Sequence, residues 1–188
     1  MSMLVFLLEE PSAEEMLKGI LPQILPSNIT PKFMVFEGKQ DLDKRLERRV
    51  RNWQMPDTSF VVLRDQDSGN CIQIKQGLKE KLENARRPDS LVRIACHELE
   101  SFYLGDLSAV ETGLGVPKLS REQNRAKFRT PDTISRPSEE LAKIAPQYQK
   151  VAGSRAISPH LKLDGTNSSH SFNVLITGLR TLASRMPK

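Results

Sequence analysis

The chain has 188 residues, of which 38% are hydrophobic and 27% charged, and it carries a formal net charge of +5. That length supports one compact domain with a buried core, and no apolar run approaches the roughly 18 residues that a membrane-spanning helix needs. Two cysteines, Cys71 and Cys96, make neither a disulfide framework nor a CxxC pair, which fits a reducing compartment and a cytoplasmic location.

MLVFLL (3–8) is a continuous apolar run of the kind shown by a strand buried on both faces. Its shortness, the lack of basic residues ahead of it and the acids that follow argue against a signal peptide. PSAEE then signals a helix start, with Pro11 in the first turn and Ser12 spaced from Glu15 as in a capping box. Met16, Leu17, Ile20, Leu21 and Ile24 continue at helical spacing until Pro26. KFMVF (32–36) is a second short strand, and residues 41–53 form a second helix with Leu42, Leu46, Val50 and Trp53 on one face.

SFVVLRDQD repeats the opening design, an apolar strand from Phe60 to Leu63 that runs straight into acids. After a turn at Gly69 and Asn70, residues 72–87 read as a helix weakened at Gly77, and LVRIAC (91–96) as a fourth strand that ends in HELESFYLGD. Strands alternating with helices imply right-handed crossovers and a parallel sheet, so the expected class is α/β. Residues 1–112 are assigned to this core. Residues 113–188 are assigned to an extension packing on the same domain, irregular over 113–137 and helical over 138–145 and 171–186, where the last helix is expected to cover the sheet. Charge divides in a similar way: residues 1–120 carry 16 Lys and Arg against 18 Asp and Glu, and residues 121–188 carry 12 against 5. A basic rear half favours polyanions, nucleic acid first among them.

In a parallel sheet every strand ends on the same edge, where ligands of open α/β sheets bind. Glu9 and Glu10, Asp65 and Asp67, and Glu98 and Glu100 all fall at or near that edge. Carboxylates crowded together repel one another unless protons or cations intervene, and oxygen-only ligands suit Mg²⁺ or Mn²⁺ rather than zinc. Alternate residues of a strand share a face, so Asp65 and Asp67 are expected to point the same way as a divalent-metal clamp. The competing reading of DQDSGN is a plain turn that ends the strand. Glu100 and Asp106 are candidates for a second metal position, against a solvated helix face. His97, His160 and His170 fit neither a zinc spacing nor a Ser-His-Asp order, Cys96 reads as a small buried hydrophobe, and no GxxxxGK[ST] precedes the acidic strand.

An acid after strand one and a DxD after a later strand resemble the TOPRIM superfamily of topoisomerases, primases and OLD-type nucleases. LLEEPSAEEMLKGILP, FEGKQDLDKRL, VVLRDQDSGNC, RIACHELESFYLGD, KFRTPDTISRPSEEL and YQKVAGSRAISPHL further resemble successive blocks of a TOPRIM-related bacterial domain family, over about residues 4–182. In that family the gene often adjoins one for an ABC-type or OLD-like ATPase, and a role in defence against phage or mobile DNA has been inferred. The resemblance implies that Glu9 matches the acid after strand one and that Asp65 and Asp67 match the DxD. Glu10 and Pro11 stand where a glycine usually follows the acid, which leaves open whether Glu9 or Glu10 faces the metal. Nothing in these residues matches the tyrosine-bearing partner domain of a topoisomerase, so topoisomerase activity is not expected.

The expected function is a Mg²⁺- or Mn²⁺-dependent nuclease that acts on DNA ahead of RNA. Glu9, Asp65 and Asp67 would hold metal and Glu100 would assist, while Lys39, Lys150 and Arg155 would contact phosphate unless they are solvated surface cations. The alternative is a non-catalytic or partner-activated subunit whose basic C-terminal region docks an ABC/OLD-like ATPase. The exposed end of a parallel sheet would also allow a homodimer.

Overall fold

A computed structural model describes residues 2–187. The chain runs β1 (Ser2–Leu8), α1 (Pro11–Ile20), β2 (Ile29–Val35), α2 (Lys39–Arg51), β3 (Thr58–Asp65), α3 (Cys71–Asn84) and β4 (Leu91–Ala95). Then come α4 (Ser101–Leu104), α5 (Leu107–Leu114), α6 (Ala126–Arg129), α7 (Pro137–Ile144), α8 (Lys150–Ile157) and α9 (His170–Arg185). The four strands pair in parallel in the order β2-β1-β3-β4, so this is an α/β protein with an all-parallel sheet flanked by helices. Among the described residues no helix is long and apolar enough to cross a membrane.

β1 is central and buried on both faces, as its unbroken apolar run requires. Strand alternation sends Leu4, Phe6 and Leu8 to one face with Val61 and Leu63, and Val5 and Leu7 to the other with Phe60 and Val62. The second face is covered by Leu42, Leu46 and Val50 of α2 and by Leu78 and Leu82 of α3. The first face is covered by α1 and the C-terminal helices, with Phe102 of α4 against Phe172 of α9 at a ring separation of 5.2 Å. The sheet and the segment after residue 113 therefore share one apolar core, and α9 packs along β4 as expected.

Several boundaries differ from the sequence reading for identifiable reasons. β2 starts three residues before the expected Lys32 and runs through Pro31, which an edge strand tolerates because one side of its backbone has no ladder partner. The expected capping box at α1 does not form: Glu10 is the cap residue, Ser12 donates its hydroxyl to Glu10, and Glu15 pairs with Lys18 and Arg155 instead. α3 begins at Cys71 because the Asn70 side chain accepts from the Ile72 and Gln73 amides at 3.0 and 3.1 Å. Residues 113–137, expected to be irregular, include the end of α5, short helical turns and α6.

α8 had no counterpart in the sequence reading, because KVAGSRAI lacks an apolar stripe of its own. Close packing explains it. A Cβ on Gly113 would stand 2.5 Å from the Ala156 carbonyl oxygen, so α5 and α8 touch backbone to backbone at that glycine. Gly113→Ala is expected to cost about 1–3 kcal/mol through overpacking, read as a lower urea midpoint at unchanged m-value. An unchanged midpoint would show that the two helices can move apart freely.

Candidate acidic site at the sheet switch point

The strand order makes β1 and β3 neighbours whose chains leave the sheet in opposite directions, β1 towards β2 and β3 towards β4. A crevice opens at such a switch point, outside the carboxyl ends of the strands. Glu9 and Glu10 follow β1 and Asp65 ends β3, so these acids flank that crevice. Glu9 Oε2 accepts from the Asp65 amide at 3.3 Å and ties the two strand ends together. The Gly38 amide donates to the Glu9 carbonyl at 3.1 Å, which brings the start of α2 and Lys39 to the same edge.

Asp65 is almost fully buried. Burial, followed by the neighbouring charges of Glu10, Glu100 and Glu9, pushes its carboxyl well above the usual carboxylate range. Glu9 is also raised, by burial and then by Asp67. Glu100 is completely inaccessible to solvent, and burial raises its carboxyl against the opposing pull of Lys150. Tyr148 donates its hydroxyl to Glu100 Oε1 at 2.9 Å, while Glu100 Oε2 is buried without a hydrogen-bond partner. Beneath this pair, the fully buried Tyr103 donates to Ser154 at 2.7 Å, and the two tyrosine rings lie 6.1 Å apart.

Two cations enter the edge. Lys39 Nζ donates to Asp67 Oδ2 at 2.6 Å, and Lys150 Nζ reaches Glu10 Oε2 at 3.3 Å. Burial opposes the Lys150 charge, but Glu100, Glu10 and Asp65 outweigh it and raise its pKa. The remaining expected residues are placed differently. Arg155 pairs with Glu15 on the flank of α1 at 2.5 Å, so its charge is engaged away from the crevice. Glu98 accepts from the Ser138 amide at the start of α7, and Asp106 caps α5 and accepts from the Lys162 amide. These acids hold helices, which removes Asp106 from the expected second metal position.

The same-face argument for Asp65 and Asp67 also needs correcting. β3 ends at Asp65, and Asp67 has turned into the left-handed region at φ 53°, with its amide donating to the His97 carbonyl at 2.7 Å. Asp67 reaches the site from a turn, half in solvent, whereas Asp65 reaches it from the strand end. Tyr148, Tyr103 and Ser154 escaped the sequence reading because packing across long separations brings them in; the one local signal was Tyr148 standing two positions before Lys150.

Glu9, Glu10, Asp65 and Glu100 supply only hard oxygen donors, the set that suits Mg²⁺ or Mn²⁺, and the partnerless Glu100 Oε2 fits a group awaiting a cation or proton. Among the described residues no three His, Cys, Asp or Glu side chains stand together as a finished ligand cage. With Asp67 drawn to Lys39 and Glu10 to Lys150, holding a cation would require these side chains to re-aim.

The molecule is thus a parallel α/β domain with a half-buried carboxylate cluster at the switch point of its sheet. A family model described as a domain of unknown function, DUF4276, matches residues 8–180, and the chain belongs to that family. Searches of curated proteins and of solved structures returned no match.

Proposed function

We propose that this protein is a TOPRIM-like, divalent-metal-dependent phosphodiesterase that cuts nucleic acid, DNA ahead of RNA, in the cytoplasm, as an effector against phage or mobile DNA. The observation that carries this reading is the buried Glu100 oxygen that has no hydrogen-bond partner, in a fold that brings Glu9, Glu10 and Asp65 to the switch point. Burial raises both the Asp65 and the Glu100 carboxyls, and the charge of Glu100 is among those that add to the rise at Asp65. Glu9, Glu10, Asp65 and Glu100 would hold Mg²⁺ or Mn²⁺, and Asp67 would join them on release from Lys39. The ion would activate water and offset charge on the phosphate under attack. Lys39 and Lys150 would exchange their carboxylate partners for phosphate oxygens, and Tyr148 would keep Glu100 oriented.

A second reading is favoured by the two ion pairs that occupy the edge. Lys39–Asp67 and Lys150–Glu10 fit a subunit that stays closed until a partner, such as an ABC/OLD-like ATPase, opens it. One assay separates the two readings: plasmid, linear and single-stranded DNA and RNA are incubated with the protein in Mg²⁺, Mn²⁺ or EDTA. Cutting in metal that EDTA abolishes is the expected result. Calorimetric metal binding without cutting would favour the partner-dependent subunit, and the absence of both would sink the phosphodiesterase.

A further inference from the structure

A cleft of about 460 Å³ runs between β4 and α9, outside the acidic site, lined among others by Asp89, Arg93, His170, Thr177, Thr181 and Arg185. His170 and Arg185 stand at opposite ends of α9, about 22 Å apart at 1.5 Å per residue. The His170 end lies beside the carboxyl end of β4, where the Ser171 hydroxyl accepts from the Cys96 amide at 3.4 Å. Ala95 there is the register partner of Asp65 on β3. One end of the cleft therefore opens one strand away from the acidic crevice, and the other leads off along the sheet.

The charges of this cleft are unbalanced. Arg93 is half-buried, and its guanidinium donates only to backbone carbonyls, Nε to Val174 at 3.1 Å and Nη1 to Val92 at 2.9 Å. Gly178 makes room for it, because a Cβ there would stand 2.5 Å from Nη2. Among the described residues no carboxylate pairs with Arg93 or Arg185. Burial lowers the pKa of Arg93, so its charge is held at a cost that a bound anion would offset. Asp89 is the one acid lining the cleft, and at the His170 end Asp132 is already engaged by Ser169 and by the Ser171 amide. An anion carried past Arg93 would meet two cations and exposed hydroxyls and would displace no ion pair.

We infer that the β4–α9 cleft is a backbone track for a single strand of nucleic acid, delivering its phosphodiesters from Arg185 past Arg93 to the acidic crevice. This deepens the phosphodiesterase reading and rests on it for the destination of the strand, though not for the binding itself. A cleft of about 460 Å³ has room for a few nucleotides of single strand, whereas a duplex could touch only its rim. The lining holds no Phe, Tyr or Trp, and its one ring is His170 at the end nearest the acidic crevice, so binding should track the backbone and show little sequence preference.

The test is fluorescence anisotropy of labelled 12-nucleotide single strands of mixed sequence, with a duplex of equal length as control, in EDTA so that no cutting intervenes. Wild type should bind single strands more tightly than duplex, with log K falling linearly against log salt concentration. The exposed Arg185→Glu should weaken binding several-fold and make the slope shallower by about 0.7, one lost single-strand phosphate contact. Gly178→Ala, which must push the guanidinium aside, should weaken binding with Arg93 still present. Unchanged affinity and slope in folded Arg185→Glu, with unchanged affinity in folded Gly178→Ala, would overturn the inference. So would a concentration-dependent dimer that Arg185→Glu disrupts, since the cleft would then belong to a second copy of the chain. Binding that follows these expectations, with neither metal binding nor cutting, would sink the phosphodiesterase and leave the track standing.

Discussion

Asp65→Asn should make the protein more stable in EDTA at neutral pH, by about 1–3 kcal/mol, the size of the desolvation penalty that a buried polar group carries when its partners do not offset it. The cause is the raised carboxyl of Asp65, which burial and then Glu10, Glu100 and Glu9 lift well above its ordinary 3.8. A folded state with the higher pKa binds the proton more tightly than the unfolded chain. Stability from this group is therefore fully present below the ordinary value and is lost as pH rises through the folded one. Glu100 and Glu9 act in the same direction. Glu15, Asp41, Glu111, Glu140 and Asp164 act in the opposite one, their carboxyls lowered by hydrogen-bond donors. The pH profile of wild type alone is thus a mixture, and the difference between wild type and Asp65→Asn isolates the site. Thermal unfolding from pH 4 to 8 should show that difference widening in favour of the variant as pH rises. Added Mn²⁺ should then raise the wild-type melting temperature and close the gap, because a cation bound only by the folded state stabilises it in proportion to its saturation. A variant less stable than wild type at every pH would mean that the Asp65 carboxylate is a satisfied structural group.

The fold was legible where a pattern is local and strong. β1 and β3 announced themselves as apolar runs, and α2 and α9 as stripes, because burial on a known period is written into consecutive residues. α8 was not, since what holds it is backbone contact with α5 and the Tyr148 ring lying over Gly153, both products of tertiary packing. The site divides along the same line. Glu9, Glu10 and Asp65 followed from the rule that parallel strands end on one edge, and Lys39 and Lys150 lie at that edge too. Asp67 was misjudged in geometry because strand alternation was carried two residues past the end of β3, into a left-handed turn. Arg155 was grouped with Lys150 by sequence proximity, but on a helix residues five apart face different ways, and Arg155 found Glu15. Glu98 and Glu100 show the limit of composition: two residues apart, one caps α7 and the other closes the carboxylate cluster.

Those placements fix an order of damage in cleavage assays. Asp65→Asn and Glu100→Gln should each slow single-turnover cutting by about 10²-fold or more at any metal concentration, because each removes a charge from the buried core of the site, where its field is least screened. Asp67→Asn should act mainly through metal affinity: its carboxylate is half in solvent and spends part of its time with Lys39, so raising Mn²⁺ should restore much of the rate. Tyr148→Phe leaves every carboxylate in place but removes the hydroxyl that holds Glu100 Oε1, a loss of orientation of the kind that costs about 10–100-fold. Its deficit should persist at saturating Mn²⁺, with Glu100 freed to take a proton in place of the tyrosine. Rates measured against metal concentration therefore sort the four variants into two classes, Asp67→Asn against the rest. If Asp67→Asn proved as severe and as unrescuable as Asp65→Asn, the turn at Asp67 would have to close onto the crevice during turnover. Lys39→Ala, which releases that turn, should then bind Mn²⁺ more tightly than wild type, as read by calorimetry without nucleic acid.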